Sequence, residues 1–224
     1  MQATIEQPDL LQGLVTEMQE RLWTTSPAVE YVQHRLPWAA DLRSVLAPHS
    51  VGLSSAGWNP NGMADRLTFP VWAADGRVAG VRGRTWRKMD TRGKISAWYS
   101  SEAYCPFGLS ANTLRHFEDT RFSALVEGEI DCLAVWASGL PCVASSKTSL
   151  GRYQAECLAW VADCVLILPD RDSPNPLTGK RPGQVGAEKS AALLSSLGVN
   201  VKIAEPGCFD DCKDPADIYQ RYGP

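Results

Sequence analysis

Acidic residues follow two short apolar segments in the second half of the chain. Glu127 comes directly after the apolar residues 124–126, and Asp170 and Asp172 come shortly after the apolar residues 164–168. Residues i and i+2 of an extended backbone point to the same side, so Asp170 and Asp172 can offer carboxylate oxygens to one hard cation. These three acids therefore predict metal-assisted chemistry.

The residues around these acids alternate between strand-like and helix-like patterns. Helical patterns cover 130–138, 152–161 and 187–197, and apolar strand patterns cover 141–144 and 199–204. Strand–helix alternation of this kind is typical of a parallel sheet, which binds its ligands at the carboxyl ends of its strands. We therefore predict an α/β fold with a parallel, Rossmann-like sheet and flanking helices, and with all three acids at one edge of the sheet.

A different pattern precedes this part of the chain. It contains three helical segments and a β-hairpin with its turn at Asp75-Gly76, at 8–23, 26–36, 39–46 and 66–86. The polar segment 110–120 has the composition of a connection between domains. We predict a smaller α+β subdomain over residues 1–115 and the larger α/β domain over residues 116–224.

Composition excludes several classes of protein. The chain has 224 residues, of which 44% are hydrophobic, enough for a substantial core. Its apolar stretches are much shorter than the roughly 20 residues that cross a bilayer, and residues 1–20 contain acids where a signal peptide has bases and a long apolar run. We expect a cytoplasmic protein without membrane contact.

Seven cysteines, an odd number, favour reduced thiols over a disulfide framework. Four of them lie in apolar segments and are predicted to be buried: Cys132, Cys142, Cys157 and Cys164. Cys208 and Cys212 lie in a polar loop without a second cysteine or histidine pair at zinc-finger spacing. The sequence predicts no zinc site.

The distribution of charge points to a polyanion in spite of a net charge of −3. Residues 77–94 contain seven basic residues and one acid, whereas residues 210–217 contain four aspartates. A basic arm opposite an acidic site suits an enzyme that handles polyanions with metals, although charge alone fits a solvated hairpin equally well. Gly80 and Gly83 in the hairpin leave room for another backbone or a ligand.

Three acidic motifs occur in a recognisable order: Glu-Gly-x-x-Asp at 127–131, Asp-x-Asp at 170–172 and Asp-Pro-Ala-Asp at 214–217. Together they resemble a Toprim domain, the metal-binding fold that bacterial-type primases, topoisomerases and some nucleases share. The hairpin that precedes them, over 67–84, and Phe-Gly-Leu at 107–109 resemble the catalytic core of bacterial (DnaG-type) DNA primases. This resemblance covers residues 26–222.

The resemblance implies roles for particular residues. Glu127, Asp170 and Asp172 would be catalytic and, with Asp214, would hold two Mg²⁺ or Mn²⁺ ions. Contacts to template or nucleotide phosphates are expected from Arg82, Arg84 and Lys94. Lys147 is a further candidate, because it adds a positive charge near the site where the family tends to have a glycine. Asp131 and Asp217 are secondary candidates, since Asp131 fits a hydrogen bond within the helix turn and Asp217 a solvated acidic loop equally well.

The implied activity is synthesis of RNA primers from ribonucleoside triphosphates on single-stranded DNA. A Toprim nuclease with the same carboxylates and a non-catalytic nucleic-acid-binding protein are the alternatives. The chain departs from the family in its long, partly basic loop at 173–183 and in lacking the zinc-ribbon module and the helicase region. We therefore expect an isolated core, cut from a larger protein or encoded on a phage, plasmid or other mobile element, with a replicative helicase or a separate zinc-binding module as partner.

Overall fold

The computed structural model describes residues 8–87, 95–99, 103–177, 179–205 and 211–224. Its α-helices are α1 (Pro8–Thr24), α2 (Ser26–Arg35), α3 (Leu42–Leu46), α4 (Leu114–Thr120), α5 (Glu129–Ala137), α6 (Arg152–Val161), α7 (Pro182–Ser196) and α8 (Pro215–Tyr222). Its strands are β1 (Gly52–Leu53), β2 (Leu67–Trp72), β3 (Val78–Arg84), β4 (Ile95–Tyr99), β5 (Phe122–Val126), β6 (Cys142–Ala144), β7 (Cys164–Ile167) and β8 (Asn200–Ile203).

The first four strands form an antiparallel sheet in the order β1-β2-β3-β4. The predicted hairpin is confirmed as β2 and β3, and Gly76 in its turn has a φ of +83° that favours glycine. All six residues of β2 are buried, as are most residues of β3. Most side chains on both faces of the hairpin are therefore buried by the rest of the protein.

The last four strands form a parallel sheet in the order β6-β5-β7-β8, with α-helices between successive strands. The predicted α/β fold with a parallel sheet and flanking helices is confirmed. The two central strands, β5 and β7, are neighbours. Residues that follow these two strands therefore lie side by side at one edge of the sheet.

Three helices differ from the prediction. Helix α3 begins at Leu42, three residues after the predicted start at 39, with Asp41 as its N-cap. The segment 110–120 was expected to be a polar connection, yet α4 forms within it because Phe117 is fully buried there, with its ring 5.7 Å from that of Trp136. Helix α7 begins at Pro182, five residues before the predicted start. Its first turns contain Gly183 and Gly186. Because glycine has a low helix propensity, the sequence did not predict a helix over these residues.

One continuous hydrophobic core lies on both sides of the predicted domain boundary. It contains Leu22 and Phe69 from before the boundary and Ala124 and Leu133 from after it. Phe107 links the two sheets, since its ring packs edge-on against Phe69 at 5.6 Å while its backbone exchanges hydrogen bonds with Ala144, the last residue of β6. The division into domains at 115/116 stays a prediction.

Six cysteines fall within the described residues, and all six are free thiols. Cys132 and Cys142 are buried as predicted and Cys157 is half-buried. The prediction of burial is wrong for Cys164, which is exposed because it is the first residue of β7, at the rim of the sheet. None of the described helices has the length and apolar character needed to span a lipid bilayer.

Candidate active site

The structure places Glu127, Asp170 and Asp172 at the carboxyl edge of the parallel sheet, where each has an atom close to Gly183. Glu127 directly follows β5, and the carboxylate of Glu127 accepts a hydrogen bond from the backbone N–H of Asp170, which follows β7. The N–H of Gly183 in the first turn of α7 donates to Asp172 Oδ2 at 3.1 Å. A Cβ on Gly183 would lie 2.7 Å from both Glu127 Oε1 and the carbonyl oxygen of Asp170. Only glycine therefore fits at this position.

Burial and mutual repulsion alter the acidity of this cluster. Burial raises the pKa of Glu127 to about 7, and the charges of Asp170 and Asp172 contribute to the increase. Burial also raises the pKa of Asp170, with smaller contributions from Asp214 and Asp172, although the nearby ammonium of Lys213 opposes the change. Ionising these buried carboxyl groups therefore costs free energy, and a bound cation would reduce that cost.

The donor set fits a hard divalent cation. Glu127 Oε1 and Asp170 Oδ1 are buried oxygens without a hydrogen-bond partner among the described residues, a costly arrangement for carboxylates. In the described ranges, no group of three or more His, Cys, Asp or Glu side chains lies close enough together to hold a metal ion. Magnesium typically takes only one or two protein carboxylates and completes its shell with water and substrate phosphates, so this sparse set suits it.

Lys213 is a member of the cluster that the sequence analysis missed. Its Nζ lies 3.2 Å from Asp170 Oδ2, and its backbone oxygen accepts a hydrogen bond of 2.7 Å from the N–H of Arg171. About half of the Lys213 side chain is exposed, so its ammonium also contacts solvent. A lone base inside an acidic loop is the signal that could have identified it.

The remaining acids lie where α5 meets α8. Asp214 Oδ1 accepts a hydrogen bond from the N–H of Asp217 and caps α8, and Asp131 Oδ1 accepts one from the N–H of Ala216 at 3.2 Å. Burial, followed by the charges of Asp214 and Asp170, raises the pKa of Asp131 well above its usual range. Asp131 and Asp214 thus lie beside the cluster with part of their hydrogen-bonding capacity already used. Metal binding by Asp214 and a functional role for Asp131 or Asp217 stay predictions.

Arg82 lies between the two sheets in a nearly buried ion pair. Its Nε is 2.6 Å from Glu129 Oε1 in the first turn of α5, and its Nη1 donates to the hydroxyl of Tyr99 at 3.0 Å. The side chain of Tyr99 fills the space beside Gly80, and that of Met63 fills the space beside Gly83. The expectation that glycine leaves room for another backbone or a ligand is met at Gly80 by the backbone of β4, with Trp98 O 2.7 Å from the position of a Cβ. A phosphate contact by Arg82 stays a prediction.

The other predicted basic contacts lie in different surroundings. Arg84 ends β3, and its Nε is buried without a hydrogen-bond partner among the described residues. Lys147 is exposed in the loop after β6, next to Ser146, whose N–H donates to the carbonyl oxygen of Glu127 at 3.0 Å. Lys94 and the rest of 88–94 lie outside the described residues. Phosphate binding by all three residues stays a prediction.

Comparison with known proteins identifies the fold. No family model matches the sequence, and no curated protein matches it. Among solved structures, the chain resembles the zinc-binding and RNA polymerase domains of the Aquifex aeolicus primase, with a TM-score of 0.75 and 21% identity over 100% of this chain and 60% of that one. It also resembles the E. coli primase catalytic core, with a TM-score of 0.72 and 21% identity over 95% of this chain and 75% of that one.

A third similar structure is the catalytic domain of a DnaG primase bound to single-stranded DNA, with a TM-score of 0.69 and 20% identity over 96% of this chain and 74% of that one. The chain therefore has the fold of primase catalytic cores. It spans 60% of the length of the Aquifex structure. At identities near 20% this likeness establishes the fold, and activity has to be argued from the site.

Proposed function

We propose that the protein is a primase-type nucleotidyltransferase that makes short RNA primers on single-stranded DNA by metal-dependent phosphoryl transfer. One observation carries this proposal: in a fold shared with primase catalytic cores, Glu127 and Asp170 each direct a buried, unpartnered carboxylate oxygen into one edge of the sheet. Phosphoryl transfer requires mainly positioning and neutralisation of charge, which carboxylate-held ions and nearby bases provide.

Each residue has a role that follows from its surroundings. Glu127 would act as the catalytic acid or base, and burial raises its pKa to about 7 in the metal-free protein. Asp170 and Asp172, with Glu127 and Asp214, would hold two Mg²⁺ or Mn²⁺ ions. Such ions, when bound, neutralise the phosphate oxygens and lower the pKa of the attacking hydroxyl. Arg84 and Lys147 would bind template or nucleotide phosphates, as would Lys94.

The proposal includes the expected surroundings of the enzyme. Its substrates would be a single-stranded DNA template and ribonucleoside triphosphates, and its place of action the cytoplasm. A replicative helicase or a separate zinc-binding module would bring it to its template. We also propose an origin on a phage, plasmid or other mobile element.

A single assay tests the proposal against its alternatives. The protein is incubated with end-labelled single-stranded DNA, ribonucleoside triphosphates and Mg²⁺ or Mn²⁺, and both RNA products and the labelled DNA are resolved on a gel. New RNA that depends on the template supports primase activity. Shortened DNA would instead identify a nuclease, and DNA binding without any metal-dependent product would identify a non-catalytic protein.

The same assay tests the site. Asp170→Asn and Asp172→Asn should each abolish synthesis with little loss of thermal stability, because an amide keeps the shape of the side chain and removes the charge that a divalent ion needs. Asp163→Asn is the matched control, since Asp163 is exposed and pairs with Arg121 at the opposite edge of the sheet. Product at wild-type levels from both site variants would refute the assignment.

A further inference from the structure

The ion pair between Arg82 and Glu129 is the most buried one among the described residues, with side-chain exposures of 11% and 4%. The two residues are 47 positions apart, on the hairpin of the antiparallel sheet and on the helix that follows the parallel strand β5. Arg82 is held from its other side by the hydroxyl of Tyr99, whose ring stacks on that of Tyr104 at 4.7 Å. The guanidinium therefore has a fixed position.

Glu129 stands two residues after Glu127, and only Gly128 separates them. On one side, this short link is held by the hydrogen bond from the N–H of Ser146 to the carbonyl oxygen of Glu127. On the other side, the contact of Glu129 with Arg82 holds it. Glycine is the most freely rotating residue, so the orientation of Glu127 depends on anchors on both sides of Gly128.

An acid in the first turn of a helix is usually exposed and interacts only with the helix dipole. Glu129 is instead buried against the guanidinium of Arg82, which belongs to the antiparallel sheet. Ionic contacts are strong there because solvent does not screen them. Burying two charges gains little stability, since well-packed apolar residues of similar size often serve equally well. A role in geometry explains the pair better than a role in stability.

We infer that Arg82 and Glu129 are positioning residues, which hold the link 127–129 from the hairpin side and so aim the Glu127 carboxylate at the metal site. The inference rests on the proposed function, because it assumes that Glu127 and Asp170 bind a divalent ion. It also assigns Arg82 a place inside the protein, where it acts through Glu129 and needs no contact with DNA.

The test is the affinity for Mn²⁺, measured by electron paramagnetic resonance of the free ion, together with a thermal melt. The variant R82M/E129L removes one positive and one negative charge, so the net charge around the metal site stays the same. We expect it to melt near the wild-type temperature and to bind Mn²⁺ about tenfold more weakly, as is typical when the support of a metal ligand is removed. The matched control is R121M/D163L, which removes an exposed pair at the far edge of the sheet and should leave the affinity unchanged.

A second variant covers the case in which R82M/E129L fails to fold. Arg82→Lys keeps the charge, yet a lysine cannot bridge Glu129 and Tyr99 with the same planar fork, so Mn²⁺ should bind several-fold more weakly. Wild-type affinity in either folded variant would overturn the inference and leave the pair with a structural role only. Asp170→Asn separates this outcome from failure of the proposed function: if it binds Mn²⁺ as tightly as the wild type, the metal site itself is wrong and the inference is overturned with it.

Discussion

Glu127 gives a prediction whose sign depends on pH. Its pKa rises from 4.5 to about 7 in the folded protein. Between these values the native state binds more protons than the unfolded state, so the contribution of Glu127 to stability falls as the pH rises through this window. The full change corresponds to ~3 kcal/mol. Because the carboxyl group is partly exposed, solvent screening should reduce it to ~1–2 kcal/mol.

Glu127→Gln removes the ionisable group and keeps an oxygen that can accept the hydrogen bond from the Asp170 N–H. In the metal-free protein, with a chelator present, the variant should match the wild type near pH 4.5 and exceed its free energy of unfolding by ~1–2 kcal/mol at pH 8. Urea denaturation at four pH values from 4.5 to 8 measures the difference.

The control for Glu127→Gln is Glu188→Gln, which removes one negative charge from an exposed position of α7. The control should show no comparable growth of the difference with pH. Saturating Mn²⁺ should reverse the order at pH 8, since only the wild type then has the full set of ligands. A Glu127→Gln difference that is independent of pH, or a variant less stable than the wild type in metal-free buffer at pH 8, would refute the electrostatic argument.

Three further predictions concern packing and binding. Gly183→Ala should lower both the melting temperature and the Mn²⁺ affinity, because its Cβ would press on the acidic cluster at 2.7 Å; Gly13→Ala, with open space around it in α1, should instead stabilise by up to ~1 kcal/mol. Arg84→Ala should weaken binding of all single-stranded DNA sequences alike and reduce the salt dependence by about one counterion, as measured by fluorescence anisotropy; an unchanged slope would remove Arg84 from the interface. Phe107→Ala should cost ~3–5 kcal/mol in urea denaturation, because the ring is 1% exposed between the two sheets.

The sequence predicted those parts of the molecule whose signals are local. The alternation of strand and helix patterns was enough to predict the parallel sheet. The positions of Glu127 and Asp170 after its two central strands were enough to place both acids at one edge. Helix α4 was missed because its single deep anchor, Phe117, lies among polar residues. The start of α7 was missed because glycine at 183, which helix propensity disfavours, is required by close contact with the site.

Contacts between distant segments could not be predicted from the sequence. Glu129 has the pattern of an ordinary acid in a first helical turn, and Arg82 that of a surface residue on a basic hairpin. Only the packing of the two sheets around a common core brings them within 2.6 Å. Lys213 likewise reaches Asp170 across 43 positions of sequence.

The partners of the buried acids explain where the chemistry is concentrated. Glu129 is neutralised by Arg82, while Asp131 and Asp172 accept hydrogen bonds from backbone N–H groups. Among the carboxylates of the described residues, only Glu127 and Asp170 retain a buried oxygen without a partner, and both belong to the same edge of the sheet. A basic side chain or a backbone N–H group could have paired with these two oxygens, as such groups do with the other buried acids. These two unpaired oxygens are the groups that the proposed divalent ion would bind, and leaving them unpaired in the free protein costs stability.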